Sequence, residues 1–182
     1  MINGELSEPY VVTRGVRQGD PLSCLLFNLA IEPLACLLRK SDIEGVAIPG
    51  TNKTLVVSLF ADDTTIYLKS TDSMETLWSI LCLWCAASTA KFNEHKTVLL
   101  PFGRSSYRQK VLGERRINDH SPIGDINTTI RIVPDGESCR ILGAWIGNNI
   151  PYTTPWPSVL EKINTNLLRW QAPDSGREAS HN

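Results

Sequence analysis

The chain has 182 residues, of which 42% are hydrophobic and 20% are charged, proportions typical of soluble globular proteins. This length accommodates one domain or slightly more, with a core of its own. The net charge of −1 excludes a strongly basic field over the whole surface, so any contact with nucleic acid must depend on local patches.

The cysteines and the amino terminus predict an intracellular protein, in the cytoplasm or nucleus. Five cysteines are present, an odd number, and most lie in apolar stretches, which favours reduced and buried thiols. Cys82 and Cys85 form a C-x-x-C pair, but their flanks, SILCLWCAAS, are typical of a helical core face, so we assign them no metal or redox role. The first residues, MINGELSEPYVV, lack the basic and apolar regions of a signal peptide.

The first predicted elements are a hairpin and a long helix. Asn3-Gly4 is typical of a tight turn, and YVVT beyond it of a short strand. After the loop RGVRQGDPLS, Asp20 as N-cap and Pro21 at the first helical position predict a helix that ends near Arg39-Lys40. This helix is apolar nearly all round, so we expect it to be deeply buried as a core helix and not to span a membrane.

The central segment predicts short strands followed by a second helix. GVAIPGTNKTLVVSLFADDTTIYLKS has Pro-Gly and Asn-containing turns between β-branched runs, and its second half is a hairpin with Asp62 and Asp63 at the tip. Asp72 and Glu75 match a capping box, which predicts a helix to about Ala90.

The last third of the chain predicts strands, a surface segment and a final helix. KFNEHKTVLLPFG contains a polar turn and a strand, and residues 104–122 form a polar, locally basic surface segment. TIRIVPDGESCRILGAWIG predicts two strands joined by Asp135-Gly136. An amphipathic helix follows from about Pro157 to Gln171, and a polar tail expected to be disordered ends the chain.

Asp62 and Asp63 are the first candidates for chemistry. Adjacent residues of a regular strand point to opposite faces, but at a hairpin tip two neighbouring carboxylates can be presented to one divalent ion. Mg²⁺ prefers a few carboxylates together with substrate phosphates. When the dipeptide is read alone, a polar turn without a catalytic role is the favoured explanation, because aspartate is common in turns.

Four motifs in order resemble the reverse transcriptases of non-LTR retrotransposons. RGVRQGDPLSCLLFNLAIEPL resembles the nucleotide-pocket loop and following helix of that family, and FADDTTIYL its aromatic-x-Asp-Asp hairpin. AKFNEHKTVLLPFG resembles its Asn-x-x-Lys-Thr segment, and CRILGAWIG its Leu-Gly strand near the primer. The four motifs together cover about residues 3–148, and the final helix is similar to the start of the family's thumb.

The resemblance implies an α+β polymerase-type palm, with an antiparallel sheet and helices packed on one face. Residues 1–150 would form part of the palm, 151–172 the start of a thumb-like helical region, and 173–182 a disordered tail. The implied reaction is RNA-directed DNA synthesis with Mg²⁺ or Mn²⁺, and its partners are an RNA template, a DNA primer and deoxynucleoside triphosphates.

The resemblance also implies a role for each matching residue. Asp62 and Asp63 would be the metal ligands, and Lys96 would approach the triphosphate and assist the departing pyrophosphate. The other positions would contact substrate or primer, with Phe60 packed beneath the catalytic turn: Arg17, Gln18, Gly19, Phe60, Leu142 and Gly143. A solvated arginine at 17, an ordinary loop at 18–19 and a surface lysine at 96 are the non-catalytic alternatives.

A further acidic segment of the family, resembling Asp-x-x-x-Ala-Phe-Asp, has no counterpart in these 182 residues. Before Asp20 the acidic residues are Glu5 and Glu8, in GELSEPY, which does not match that pattern. We therefore expect the isolated chain to be inactive. The FADD hairpin should expose a strand edge, so the chain should be poorly stable or require a partner chain that supplies the missing palm strand.

Two other functions fit parts of the sequence. A non-catalytic module derived from a retroelement could bind nucleic acid or protein through the basic stretch from Arg104 to Arg116. A metal-dependent phosphohydrolase would explain Asp62 and Asp63 but not RQGDPLS or NEHKT.

Overall fold

The computed structural model describes residues 19–151 and 155–171, so the predicted amino-terminal hairpin, Arg17 and Gln18 lie outside the described residues. The described chain forms two compact units. The first unit comprises the described residues up to Phe92 together with Ile117–Pro122, and the second comprises Asn93–Arg116 and the described residues from Ile123 onward.

The first unit contains two helices and two hairpins. Its elements are α1 (Pro21–Lys40), β1 (Val46–Ala47), β2 (Thr54–Leu55), β3 (Val57–Phe60), β4 (Asp63–Ile66) and α2 (Met74–Ser88). The strands β1 and β2 pair antiparallel around the predicted Pro-Gly turn, and β3 pairs antiparallel with β4. The helix α1 packs against α2 and β3, and the core includes Leu34, Leu38, Leu77 and Leu81.

The start of α1 is as the sequence predicts. The Oδ1 atom of Asp20 accepts a hydrogen bond from the amide of Leu22 at 2.8 Å, and Pro21 occupies the first turn. The expectation of deep burial is wrong for the amino-terminal half, where Leu25 and Leu29 are 60% and 71% exposed. By length and composition α1 could also cross a membrane, but its buried carboxyl half favours the predicted core helix.

The start of α2 differs from the prediction. Ser73, and not Asp72, is the N-cap, since the Ser73 hydroxyl accepts from the amide of Thr76 at 3.3 Å. Asp72 is instead buried, and its carboxylate accepts hydrogen bonds from other parts of the chain. Local spacing suits both arrangements, and the tertiary contacts decide between them.

The second unit contains α3 (Ser105–Glu114), α4 (Pro155–Gln171) and four short strands: β5 (Val98–Leu99), β6 (Arg131–Ile132), β7 (Cys139–Ile141) and β8 (Ala144–Ile146). The pair β5–β6 is parallel, and β7–β8 is an antiparallel hairpin. Residues 104–122, expected to be a surface segment, therefore include a helix, whose Val111 is 1% exposed. Asp135-Gly136 lies between β6 and β7, as predicted, but the second predicted strand is a hairpin, β7–β8, with its turn at Leu142-Gly143.

The α+β class agrees with these elements, although the described strands form four separate two-stranded sheets and not one antiparallel sheet. Both edges of β3–β4 are unpaired within the described residues, as the sequence leads us to expect. The predicted boundaries of palm, thumb and tail stay predictions. Cys139 is buried, whereas Cys24 and Cys82 are exposed, so the expectation of generally buried thiols is wrong for these two.

Candidate functional site

The tip of the β3–β4 hairpin presents two adjacent carboxylates. Phe60 pairs with Asp63 in the strand register, so the loop has only two residues, Ala61 and Asp62. Ala61 has a φ of 49°, in the left-handed region that two-residue hairpin loops require. Both aspartates are exposed, so each carboxylate is accessible to an ion or substrate from solvent.

Phe60 does not pack beneath this turn in the described structure. Its side chain is 65% exposed. The reason is its position at the end of β3, directly beside the two-residue turn, whereas the buried Val56 lies at the opposite end of the hairpin. The ring of Phe60, the aromatic residue of the motif, is therefore an exposed apolar surface beside the two aspartates.

Gly19 stands immediately before the N-cap of α1. Its φ of 91° is accessible to glycine and strained for other residues, and a Cβ there would meet no atom of the described residues within 4 Å. The described part of the chain therefore leaves space for a ligand to approach the backbone of Gly19.

Lys96 ends a short 3-10 turn, Glu94–Lys96, directly before β5. The side chain of Asn93 caps this turn by accepting from the Lys96 amide at 3.2 Å, and the Thr97 hydroxyl donates to the Asn93 carbonyl at 2.9 Å. These bonds place Asn93 at the start of the turn and Thr97 at the entry to β5, which confirms the polar turn and strand expected for this segment. They hold the Lys96 backbone while its side chain is exposed.

Leu142 and Gly143 form the two-residue turn of the β7–β8 hairpin. Both have positive φ values, 48° and 88°, as in a type I′ turn. Gly143 adopts this conformation without strain, whereas Leu142 does not. The Leu142 side chain is 54% exposed at the tip.

The structure brings Asp62 and Asp63 together at one turn. Gly19 belongs to the same unit, whereas Lys96, Leu142 and Gly143 belong to the other. Convergence of these positions on one substrate site stays a prediction.

The sequence analysis missed the role of Asp72, whose carboxylate holds together two distant segments of the first unit. Its carboxylate accepts hydrogen bonds from the amides of Glu44 at 2.9 Å, Gly45 at 3.2 Å and Lys69 at 2.7 Å. The Asn118 side chain donates to the Asp72 carbonyl at 2.7 Å. Lys69 follows β4 closely, so Asp72 fixes the chain where it leaves the aspartate hairpin. The signal in the sequence was an aspartate in a turn-rich stretch just before a helix, and it does not distinguish a helix cap from a buried acceptor.

The comparisons with known proteins decide the family. Residues 1–146 match the family described as Reverse transcriptase (RNA-dependent DNA polymerase). This chain belongs to the reverse transcriptase family.

Two of the relatives of this reverse transcriptase chain come from transposons. The Xenopus laevis transposon TX1 uncharacterized 149 kDa protein is 38% identical over 96 residues, which cover 53% of this chain and 7% of the relative. The Drosophila melanogaster retrovirus-related Pol polyprotein from type-2 retrotransposable element R2DM is 39% identical over 75 residues. These residues cover 41% of this chain and 7% of the relative. The resemblance to non-LTR retrotransposons is thereby confirmed.

A third relative is the Arabidopsis thaliana uncharacterized mitochondrial protein AtMg01250. It is 38% identical over 68 residues, which cover 35% of this chain and 56% of the relative. The matches thus span a small fraction of the two transposon proteins and about half of the mitochondrial one. No solved structure matches the chain.

The donor set at the reverse transcriptase hairpin fits part of a divalent-metal site. Reverse transcriptases depend on divalent metal, and two carboxylates with substrate phosphates suit Mg²⁺. Within residues 19–151 and 155–171, no group of three or more His, Cys, Asp and Glu side chains could hold a metal ion. A metal ion held by Asp62 and Asp63 would take its remaining ligands from outside such a group, for example from substrate phosphates.

The basic stretch from Arg104 to Arg116 is largely engaged within the second unit. Arg108 binds Asp135 through Nε at 2.7 Å and Nη2 at 2.6 Å, and Arg116 binds Glu114 at 2.7 Å. Arg115 donates to the carbonyls of Ile126, Asn127 and Ile130 at 2.6–3.1 Å. These contacts do not favour a separate interaction module built on this stretch.

Proposed function

We propose that this chain supplies the part of a retroelement reverse transcriptase palm that carries the Asp-Asp hairpin. The proposed reaction transfers a nucleotide from a deoxynucleoside triphosphate to a primer 3′-hydroxyl, with RNA as the template. The observation that carries this proposal is the two-residue turn that presents Asp62 and Asp63, exposed and adjacent, inside the family match.

In this proposal Asp62 and Asp63 bind the divalent ions, Mg²⁺ or Mn²⁺. When bound, two such ions activate the attacking hydroxyl and stabilise the leaving oxygen of an in-line displacement. The exposure of both carboxylates suits this role.

The remaining positions orient the reactants. Gln18 and Gly19 face the incoming nucleotide, and Arg17 meets a phosphate or the template strand. Lys96 binds the triphosphate with its ammonium group, supported by the capped turn that fixes its backbone. Leu142 and Gly143 support the primer strand through the backbone of their turn.

The domain assignment forms part of the same proposal. Residues 1–150 correspond to part of the palm and 151–172 to the start of the thumb. The apolar face of α4 supports the thumb assignment, because Leu160, Ile163 and Leu167 recur at helical spacing and are about half exposed. Such a face requires a neighbouring helix or strand.

The 182-residue chain alone is proposed to be inactive, because it contains no Asp-x-x-x-Ala-Phe-Asp-like segment to complete the carboxylate set. The test compares the chain alone with a chimera that joins it to an upstream reverse transcriptase segment containing that pattern. Primer extension on an RNA template with Mg²⁺ is the readout. We expect extension by the chimera and none by the chain alone.

The substituted chimeras identify the ligands. Asp62→Asn and Asp63→Asn should each reduce extension at least 100-fold, an order of magnitude typical of lost electrostatic stabilisation. Asp42→Asn is the matched control, since Asp42 is an exposed aspartate of the same unit. If the chain alone extended the primer and Asp62→Ala abolished that extension, the proposed inactivity would be overturned. If neither Asp62→Asn nor Asp63→Asn reduced extension by the chimera, the catalytic role of the two aspartates would be overturned.

A further inference from the structure

The helix α2 carries two free thiols at its solvent side. Cys82 is exposed and Cys85 is half-buried. The exposed residues Ser79 and Ala86 lie one turn before and one turn after Cys82, so Cys82 belongs to the solvent face of the helix. The interpretation of the C-x-x-C pair as part of a helical core face is therefore wrong for Cys82, and the pair is accessible to a ligand.

The spacing of the two cysteines makes them neighbours on one helix surface. Residues three apart in an α-helix have Cβ atoms about 5–6 Å apart. A disulfide bond requires Cβ atoms about 3.5–4.5 Å apart and sulfur atoms about 2 Å apart, so a direct bond between Cys82 and Cys85 would distort α2. An ion that binds two thiolates at about 2.3 Å each accepts sulfur atoms up to about 4.6 Å apart. The helical spacing therefore suits one bridging metal ion better than a disulfide bond.

Two thiolates without further protein ligands favour monovalent copper. Zinc in structural sites takes four ligands. The part of the chain that the structure describes contains no group of three or more His, Cys, Asp and Glu side chains that could hold an ion. Soft thiolate ligands select Cu⁺, and two of them complete a linear coordination. The cysteine pair thus suits a different ion from the one that the carboxylates of Asp62 and Asp63 suit.

The other three cysteines lack this combination of properties. Cys139 is buried, its Sγ donates to the Ile146 carbonyl at 3.6 Å, and burial raises the pKa of its thiol. Cys36 is half-buried, and its Sγ donates to Glu32 Oε1 at 3.6 Å. Cys24 is exposed on α1, but Cys36 follows it only after more than three turns of that helix. Only α2 presents an exposed thiol with a second thiol one turn away in the same helix.

We propose that Cys82 and Cys85 form a two-coordinate binding site for Cu⁺. Binding forms two copper–sulfur bonds and releases the two thiol protons to solvent, and neither copper nor sulfur changes its oxidation state. Because protons are released, the affinity should rise with pH. The site is independent of the proposed polymerase function, since it lies on α2 and uses neither Asp62 nor Asp63.

The experiment measures Cu⁺ binding by the 182-residue chain without oxygen, in competition with the chromophoric chelator bicinchoninate. Cys82→Ala and Cys85→Ala should each weaken binding about 100-fold, because the second thiolate of the pair binds intramolecularly at a high effective concentration. Cys24→Ala removes an exposed thiol outside the pair and should leave the affinity unchanged.

A variant in which the residues at positions 85 and 87 are exchanged tests the spacing. Cys85→Ala combined with Ala87→Cys retains all five cysteines but places the two thiols of α2 five residues apart, on different sides of the helix. Its affinity for Cu⁺ should fall to that of Cys85→Ala. Alanine has the highest helix propensity, so the substitutions retain α2, which far-UV circular dichroism checks.

The results distinguish this site from adventitious binding by scattered thiols. Weaker binding by both alanine variants of the pair and by the exchanged variant, but not by Cys24→Ala, supports the proposal. Equal affinity of the exchanged variant and the unsubstituted chain overturns it, as does an affinity that Cys82→Ala leaves unchanged. If the unsubstituted chain binds Zn²⁺ more tightly than Cu⁺, the assignment of the ion is overturned.

Discussion

The amide of Gly45 donates a hydrogen bond of 3.2 Å to the buried carboxylate of Asp72, 27 residues later in the chain. Asp72 is only 4% exposed, and its carboxylate also accepts from the amides of Glu44 and Lys69. These bonds tie the segment before β1 to the segment after β4. One side chain therefore fixes the ends of two hairpins.

Removing the Asp72 carboxylate should destabilise the first unit. Asp72→Ala leaves three amide donors without this acceptor, and an unsatisfied buried donor costs about 1–3 kcal/mol. We expect a loss of that order in the free energy of unfolding, measured by urea denaturation. Asp42→Ala, at an exposed position, should change it by less than about 0.5 kcal/mol. Equal effects of the two substitutions would contradict the role of Asp72.

Alanine substitutions at Gly45 and Gly50 should distinguish the cost of steric overlap from the cost of backbone strain. Both have positive φ values, 69° and 74°, but a Cβ on Gly45 would lie 2.4 Å from the Leu55 carbonyl oxygen, whereas one on Gly50 meets no atom within 4 Å. Gly50→Ala should cost about 1 kcal/mol, from strain alone. Gly45→Ala should cost clearly more, because β1 must move away from β2. Similar thermal unfolding temperatures for the two variants would contradict this difference.

Acid should weaken the second unit through Asp135. The Arg108 guanidinium, which donates two hydrogen bonds to Asp135, holds the pKa of that carboxyl below its ordinary value, with a smaller contribution from the Asn149 side chain at 3.0 Å. Since the folded pKa lies below the unfolded one, the stabilisation is complete above the unfolded pKa and is lost as the pH falls through the folded pKa. The loss therefore occurs below about pH 4.

The substitution Asp135→Asn tests this dependence. Urea midpoints measured between about pH 5 and pH 2 should fall less steeply for Asp135→Asn than for the unsubstituted chain. Asp42→Asn serves as the control and should retain the original dependence. If the urea midpoint of Asp135→Asn fell with decreasing pH as steeply as that of the unsubstituted chain, the Arg108–Asp135 pair would not contribute to the loss of stability in acid.

The turn at Leu142 should accept a more stabilising residue. Leucine at a φ of 48° is strained by about 1 kcal/mol, whereas asparagine is favoured at the first position of a type I′ turn. Leu142→Asn should raise the free energy of unfolding by about 0.5–1 kcal/mol in urea denaturation. Leu142→Ala keeps the strained conformation and should give no gain. If both variants gave the same stability, the strain at Leu142 would be refuted.

Local sequence signals predicted the elements whose determinants are close together in the chain. The start of α1 follows from Asp20 and Pro21, because an N-cap and an N1 proline act within one turn. The hairpin tip at Asp62 follows from the apolar and β-branched runs on either side. Asn93 and Thr97 are likewise a local cap and strand entry.

The errors occur where distant residues decide the structure. Asp72 and Glu75 have the spacing of a capping box, but the amides of Glu44 and Gly45 compete for the Asp72 carboxylate, and Ser73 caps α2. Asp135-Gly136 lies between two strands, as predicted, but the second predicted strand is two strands joined at Leu142-Gly143. The strand β6 pairs in parallel with β5, and β7 pairs with β8.

The sequence by itself determined the family motifs, their order and the two carboxylates at a hairpin tip, because these depend on residue identity and short spacings. Only the tertiary structure decided that Arg108 and Arg115 are engaged internally, that Asp72 holds two hairpins, and that half of α1 is exposed. Hydrogen-bond partners and burial depend on which distant segments meet. Periodicity and composition along a single chain do not contain that information.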